Sequence, residues 1–143
     1  MITVRDILDR KGRHVHSVAP SDTVFSALGL MSEKRIGALM VMDGDALVGV
    51  VSERDYARKV VLAGRNSRET LVREIMTSKV YHVSPKHRIE DCMAIMTEKG
   101  VRHLPVLDGR RLDGVVSIGD VVKSVISHQE FIIEQLEHFI AGH

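Results

Sequence analysis

Two stretches of the chain place a hydroxyl three residues ahead of a carboxylate at the end of an apolar run. The first is Gly49-Val50-Val51-Ser52-Glu53-Arg54-Asp55 and the second is Gly114-Val115-Val116-Ser117-Ile118-Gly119-Asp120. A Ser-x-x-Asp pattern at a strand-to-helix junction supports two chemistries. One is local: the serine caps the helix, and an acid in the first turn suits the helix dipole. The other faces a ligand. A carboxylate there can accept hydrogen bonds from two vicinal hydroxyls, as on a ribose, while the serine and the helix N-terminus hold a phosphate. Duplication serves both readings, and the residues alone leave them in balance.

A second group is Arg102-His103, just ahead of an apolar run. Arginine is always charged and histidine adds a proton or a neutral donor, so the pair can bind an anion. The plainer reading is two solvated residues flanking a strand. The corresponding residues of the first half are Gly37-Ala38, which carry no side-chain charge.

Other chemistry is poorly supported. The common glycine-rich phosphate cradles, a zinc H-E-x-x-H motif and a G-x-S-x-G elbow are all missing from the sequence. His14-x-His16 is weak as a metal pair. Cys92 falls on the apolar face of a predicted helix and reads as a core residue rather than a nucleophile. No nucleophile–base pair stands out, so the chain is expected to be non-catalytic.

Composition bounds the rest. The chain has 143 residues, 44% of them hydrophobic, with a formal net charge of +1. That suits one ordinary domain or two small units sharing a core. A large barrel enzyme needs about 250 residues. A near-neutral chain with 3% aromatic residues has neither the field nor the stacking platforms for nucleic acid. The charged first ten residues do not resemble a signal peptide, and no run approaches the ~20 apolar residues of a membrane span. A single cysteine fits a reducing compartment, so the expected location is cytoplasmic.

The elements that must position these residues come from an internal repeat. Shifted by 65 positions, residues 15–60 align without a gap with 80–125. They agree at 17 of 46 positions, against roughly 3 by chance. Val4-Arg5-Asp6-Ile7 also resembles Val72-Arg73-Glu74-Ile75, at a slightly different offset. Each copy predicts a strand (15–18; 80–83) stopped by Pro20 or Pro85, then a helix (23–34; 88–99) with apolar residues at helical spacing. Two further strands (38–42 and 47–51; 103–107 and 112–116) flank Asp43-Gly44 or Asp108-Gly109 turns. A helix then starts near Ser52 or Ser117.

The pattern is thus β-α-β-β-α twice, a mixed α/β (α+β) fold with pseudo-twofold symmetry. Repeat 1 spans 3–64, a linking segment 65–72, repeat 2 73–127, and an amphipathic C-terminal helix 128–143. Ile126, Ile132, Ile133, Leu136, Phe139 and Ile140 stripe that last helix. The stripe suits either its own core or a dimer contact.

These residues resemble a CBS domain pair, or Bateman module. The motifs that carry the likeness are V-x-P before the first helix, D-G between strands, and G-V-V-S-x-x-D at the last junction. All occur twice in register. The chain is similar to small bacterial CBS-pair proteins that end in a short amphipathic helix. The resemblance implies a regulatory module holding an adenosine-containing ligand in clefts between the repeats. AMP leads the candidates, followed by ADP, ATP, NAD(H) and S-adenosylmethionine, with no metal.

By the same resemblance, Asp55 and Asp120 hold ribose hydroxyls, with Ser52 and Ser117 beside them. Arg102 and His103 match phosphate-contacting positions in the gamma subunit of AMP-activated kinase, and Arg54 and Arg58 are further phosphate candidates. Adenine is expected against Val18, Ala19, Gly37, Ala38, Val83, Ser84 and Pro105. Repeat 1 lacks the basic pair, so the two clefts are expected to differ. Such modules imply a homodimer and an unspecified downstream protein. The competing readings are an interaction module with no nucleotide and an NAD(H)-linked redox sensor.

Overall fold

The structure, a computed structural model, describes residues 1–141. Residues 142 and 143 of the expected C-terminal helix lie outside it.

Repeat 1 contains β1 (Ser17–Val18), α2 (Val24–Lys34), β2 (Ala38–Asp43), β3 (Ala46–Ser52) and α3 (Glu53–Tyr56), which runs on as a π turn over Ala57–Val61. Repeat 2 contains α5 (Ile89–Lys99), β4 (His103–Asp108), β5 (Arg111–Ser117) and α6 (Ile118–Ile140). The Asp-Gly hairpins form as expected. Gly44 and Gly109 open the two-residue turns at φ +59° and +65°, values that L side chains resist. Both hairpins also carry a register shift at the same place, after Val41 and after Val106.

The first strands are shorter than expected. β1 is two residues, paired in parallel with β2. In repeat 2 the 80–83 strand is reduced to one bridge, Val83 to Val106. Proline explains the loss. In repeat 1 the Met40 amide donates to the His16 carbonyl. Pro105 stands at the equivalent place and has no N–H to donate.

Two helices that the repeat pattern did not include matter more. α1 (Val4–Lys11) and α4 (Val72–Ile75) precede the two copies, so each unit starts with a helix. Each helix packs on the other copy. Val4, Ile7 and Leu8 lie in the core formed by Val83, Ile89, Cys92, Leu104, Val116 and Val121. Val72 and Ile75 lie in that of Val18, Val24, Val41, Val51 and Val60.

The glycines of the two G-V-V-S motifs make room for this exchange. A Cβ on Gly49 would meet Met76 Sδ at 2.7 Å, and one on Gly114 would meet Leu8 Cδ2 at 2.7 Å. Cys92 is fully buried here, and burial pushes its thiol up to about 11, as a structural cysteine requires.

α6 is a single helix of 23 residues, continuous with the end of repeat 2. Val121 and Ser124 are buried, but the apolar stripe beyond them is not. Phe131, Ile132, Ile133 and Leu136 are about half exposed, and Phe139 and Ile140 are 83% exposed. The stripe therefore does not pack on its own core.

Candidate functional site

Ser52 and Asp55 form the cap that their spacing allows. The Asp55 amide donates to Ser52 Oγ at 3.2 Å, and the Ser52 amide donates to Asp55 Oδ2 at 2.9 Å. Capping uses Oδ2. The other oxygen, Oδ1, faces Lys59 Nζ at 3.2 Å. The cap and a ligand-facing carboxylate are therefore compatible, since the cap orients the group.

Asp55 lines a cleft of about 450 Å³ between the repeats. Repeat 1 supplies Gly37, Ala38, Val50, Ser52, Arg54 and Arg58 to its walls. The chain after α4 supplies Thr77, Lys79, Val80 and Tyr81, and repeat 2 supplies Arg102 and His103. Four permanent cations, Arg54, Arg58, Lys79 and Arg102, thus face two carboxylates, Glu53 and Asp55. Val50, Val80, Val101 and the Tyr81 ring give the same cleft apolar walls. A pocket of this size with converging charges suits a small anion carrying a flat apolar group.

His103 sits where the two halves meet. Burial holds it below its ordinary value, Lys11 and Arg102 push the same way, and Asp120 partly opposes them. It enters the cleft as a neutral donor or acceptor.

The second Ser-x-x-Asp has the same cap in a different setting. The Asp120 amide donates to Ser117 Oγ at 3.1 Å and the Ser117 amide to Asp120 Oδ2 at 2.8 Å. Lys11 Nζ donates to that same Oδ2 at 2.7 Å. Burial alone would raise the Asp120 carboxyl, but the Lys11 and Ser117 hydrogen bonds outweigh it and hold it low. The cavity beside Asp120 is about 100 Å³.

The chain matches the CBS domain family over residues 4–62 and again over 72–127. It belongs to the CBS domain family. The CBS pair is 56% identical to a solved CBS-domain protein of Burkholderia ambifaria, which covers 89% of this chain and 96% of that one at a TM-score of 0.86. It is 35% identical to the mitochondrial CBS domain-containing protein CBSX3 of Arabidopsis thaliana, over 98% of this chain and 72% of that protein. It also superposes on the structure of CBSX2 in complex with AMP, at a TM-score of 0.74 and 28% identity. That match covers 90% of this chain and 99% of that one.

Within this CBS pair, one cleft collects Gly37, Ala38, Ser52, Arg54, Asp55, Arg58, Arg102 and His103 from the expected residues. Ser117 and Asp120 are not among its walls. Neither are Val18, Ala19, Val83, Ser84 and Pro105. Val18 and Val83 are core side chains, and Pro105 is buried in its strand. The Ala19 amide is tied to Asp22, and Ser84 is tied to His87 in a turn. Besides Ala38, the apolar walls come from Val50 and Val101 and from Val80 and Tyr81, where the chain crosses between the repeats. Lys79 and Thr77 were not anticipated either, because they precede the gap-free part of the repeat. Aligning them at the other offset, 68 positions, sets Lys79 against Lys11 and marks both. Among the described residues no cluster of three or more His, Cys, Asp or Glu is placed to hold a metal ion. Among the described residues, no helix is long and apolar enough to cross a membrane.

Proposed function

We propose that this CBS pair is a cytoplasmic, non-catalytic regulatory module that binds an adenine nucleotide, AMP foremost, in the cleft of Asp55, and that it acts as a homodimer on a downstream protein. The carrying observation is that cleft: one capped carboxylate, four cations from both repeats and apolar walls converge on about 450 Å³. In this reading Asp55 accepts the ribose hydroxyls, and Arg54, Arg58, Lys79 and Arg102 surround the phosphate. Val80, Val101 and Tyr81 pack on the adenine. The AMP complex of CBSX2 supports the ligand class. Because the walls come from both repeats, a ligand with different affinity for two arrangements of the repeats shifts their balance.

The test is thermal melting of nucleotide-stripped protein with AMP, ADP, ATP, NADH and S-adenosylmethionine. A ligand at about 100 times its dissociation constant adds ~2.7 kcal/mol, a rise of roughly 5–10 °C for a chain this size. Asp55→Ala lowers the starting midpoint by loss of the cap, so the ligand-induced shift is the quantity to compare, and it is expected to shrink. No shift with any ligand would replace this reading with an interaction module.

A further inference from the structure

The two copies do not share one offset. From Val15 and Val80 onward it is 65, but Val4–Ile7 meets Val72–Ile75 at 68. The first copy therefore holds three extra residues between its leading helix and its first strand. Helix α1 is also longer than α4, eight residues against four.

Helix α1 ends on Lys11, whose Nζ donates to Asp120 Oδ2 at 2.7 Å and to the Val115 carbonyl at 2.9 Å. Val115 and Asp120 are the counterparts of Val50 and Asp55, which line the open cleft. There the Val50 main chain pairs with the Thr77 main chain instead. Asp55 also meets a lysine, but Lys59 reaches it from its own helical segment and is not part of the cleft wall. Lys11 is part of the wall beside Asp120, together with Ile7, Arg10 and Lys123. The cavity that Lys11 and Asp120 share is about 100 Å³, below the ~300 Å³ at which small-molecule sites begin.

We propose that Lys11 is the internal occupant of the second site. It holds Asp120 in place of ligand hydroxyls, so each chain takes one nucleotide, in the cleft of Asp55. The inference rests on the nucleotide reading above. Buried Val4, Ile7 and Leu8 anchor α1, so the ammonium is tethered at its target. A free nucleotide must then compete with a partner of millimolar or greater effective concentration.

Calorimetric titration of the stripped full-length chain with AMP tests it. The wild type is expected to bind one AMP per chain, and Asp120→Ala to leave that site within about twofold. Lys11→Ala is expected to bind two, the second site vanishing in Lys11→Ala/Asp120→Ala, while Lys11→Arg keeps one. Two sites in the wild type, one site in folded Lys11→Ala, or weakened binding in Asp120→Ala would each overturn the role of Lys11 alone. Absence of AMP binding in the wild type would overturn the nucleotide reading and this inference with it. If Lys11→Ala does not fold, the wild-type stoichiometry and Asp120→Ala decide.

Discussion

Arg102 and His103 separate two roles that look alike at the mouth of a strand. Arg102 is exposed and joins Arg54, Arg58 and Lys79 around the cleft. A charge-assisted hydrogen bond to phosphate contributes about 1.5–3 kcal/mol. Arg102→Ala is therefore expected to weaken AMP roughly 10- to 100-fold and leave adenosine unchanged in titration calorimetry. Equal losses for both would remove Arg102 from the phosphate role. His103 acts through its proton. Its folded-state pKa is lowered, by burial first, and burial also lowers His16. The unfolded chain thus takes up protons near pH 6.5 that the folded chain refuses, so stability rises with pH there. The stabilising contribution is complete above that pH and declines as pH falls through the window below it. Urea midpoints are expected to drop as pH falls below about 6.5, with a shallower slope in His103→Gln. An unchanged slope would assign the decline to other groups.

At the scale of elements, the exchange of α1 and α4 depends on Gly49 and Gly114. A Cβ at Gly49 would stand 2.7 Å from Met76 Sδ and 3.1 Å from the Thr77 carbonyl oxygen, whereas one at Gly114 meets only Leu8 side-chain carbons. Overpacking costs typically 1–3 kcal/mol, and a main-chain carbonyl yields less than a methyl. Gly49→Ala is therefore expected to lower the urea midpoint more than Gly114→Ala, and Leu8→Val to recover part of the Gly114→Ala loss. Reversal of that order would mean that the two helices seat differently from the way described. The glycines also show where the fold is legible in sequence. Asp43-Gly44 and Asp108-Gly109 announce their hairpins because the turn itself demands them. The missing strand in repeat 2 follows from Pro105, but only once its partner across the sheet is known. Val4, Ile7 and Leu8 show helical spacing without saying whose core they enter, since that is decided by tertiary packing. Asp55, Arg102 and His103 were readable as candidates from the gap-free repeat, whereas Arg54 and Arg58 entered only through the family resemblance. Lys11 and Lys79, which lie where the offset changes, came from neither.

For the whole molecule, the open question is what covers α6. Val122, Ile126, Gln129, Ile133, Leu136 and Ile140 recur at alternating spacings of four and three along one face. Each of the five apolar residues is exposed. A helix of about 15 residues standing clear of its own core is marginal in water, and a heptad face with β-branched and leucine residues is the surface that pairs helices. The homodimer reading therefore places a second copy of α6 on this face. Ile133→Glu combined with Leu136→Glu is expected to convert a dimer into a monomer in sedimentation equilibrium. It should also reduce the helical ellipticity. Melting of the two cores should change little, since neither residue touches Val121 or the clusters beneath it. A dimer that persists would move the interface to the body, where Phe25, Val61 and Leu62 are also exposed. A monomeric wild type would leave α6 to the downstream protein. The Asp55 cleft is walled by residues of one chain, so AMP binding is expected to survive the substitutions. A ligand whose affinity fell with the dimer would show that the two copies and the two repeats shift together.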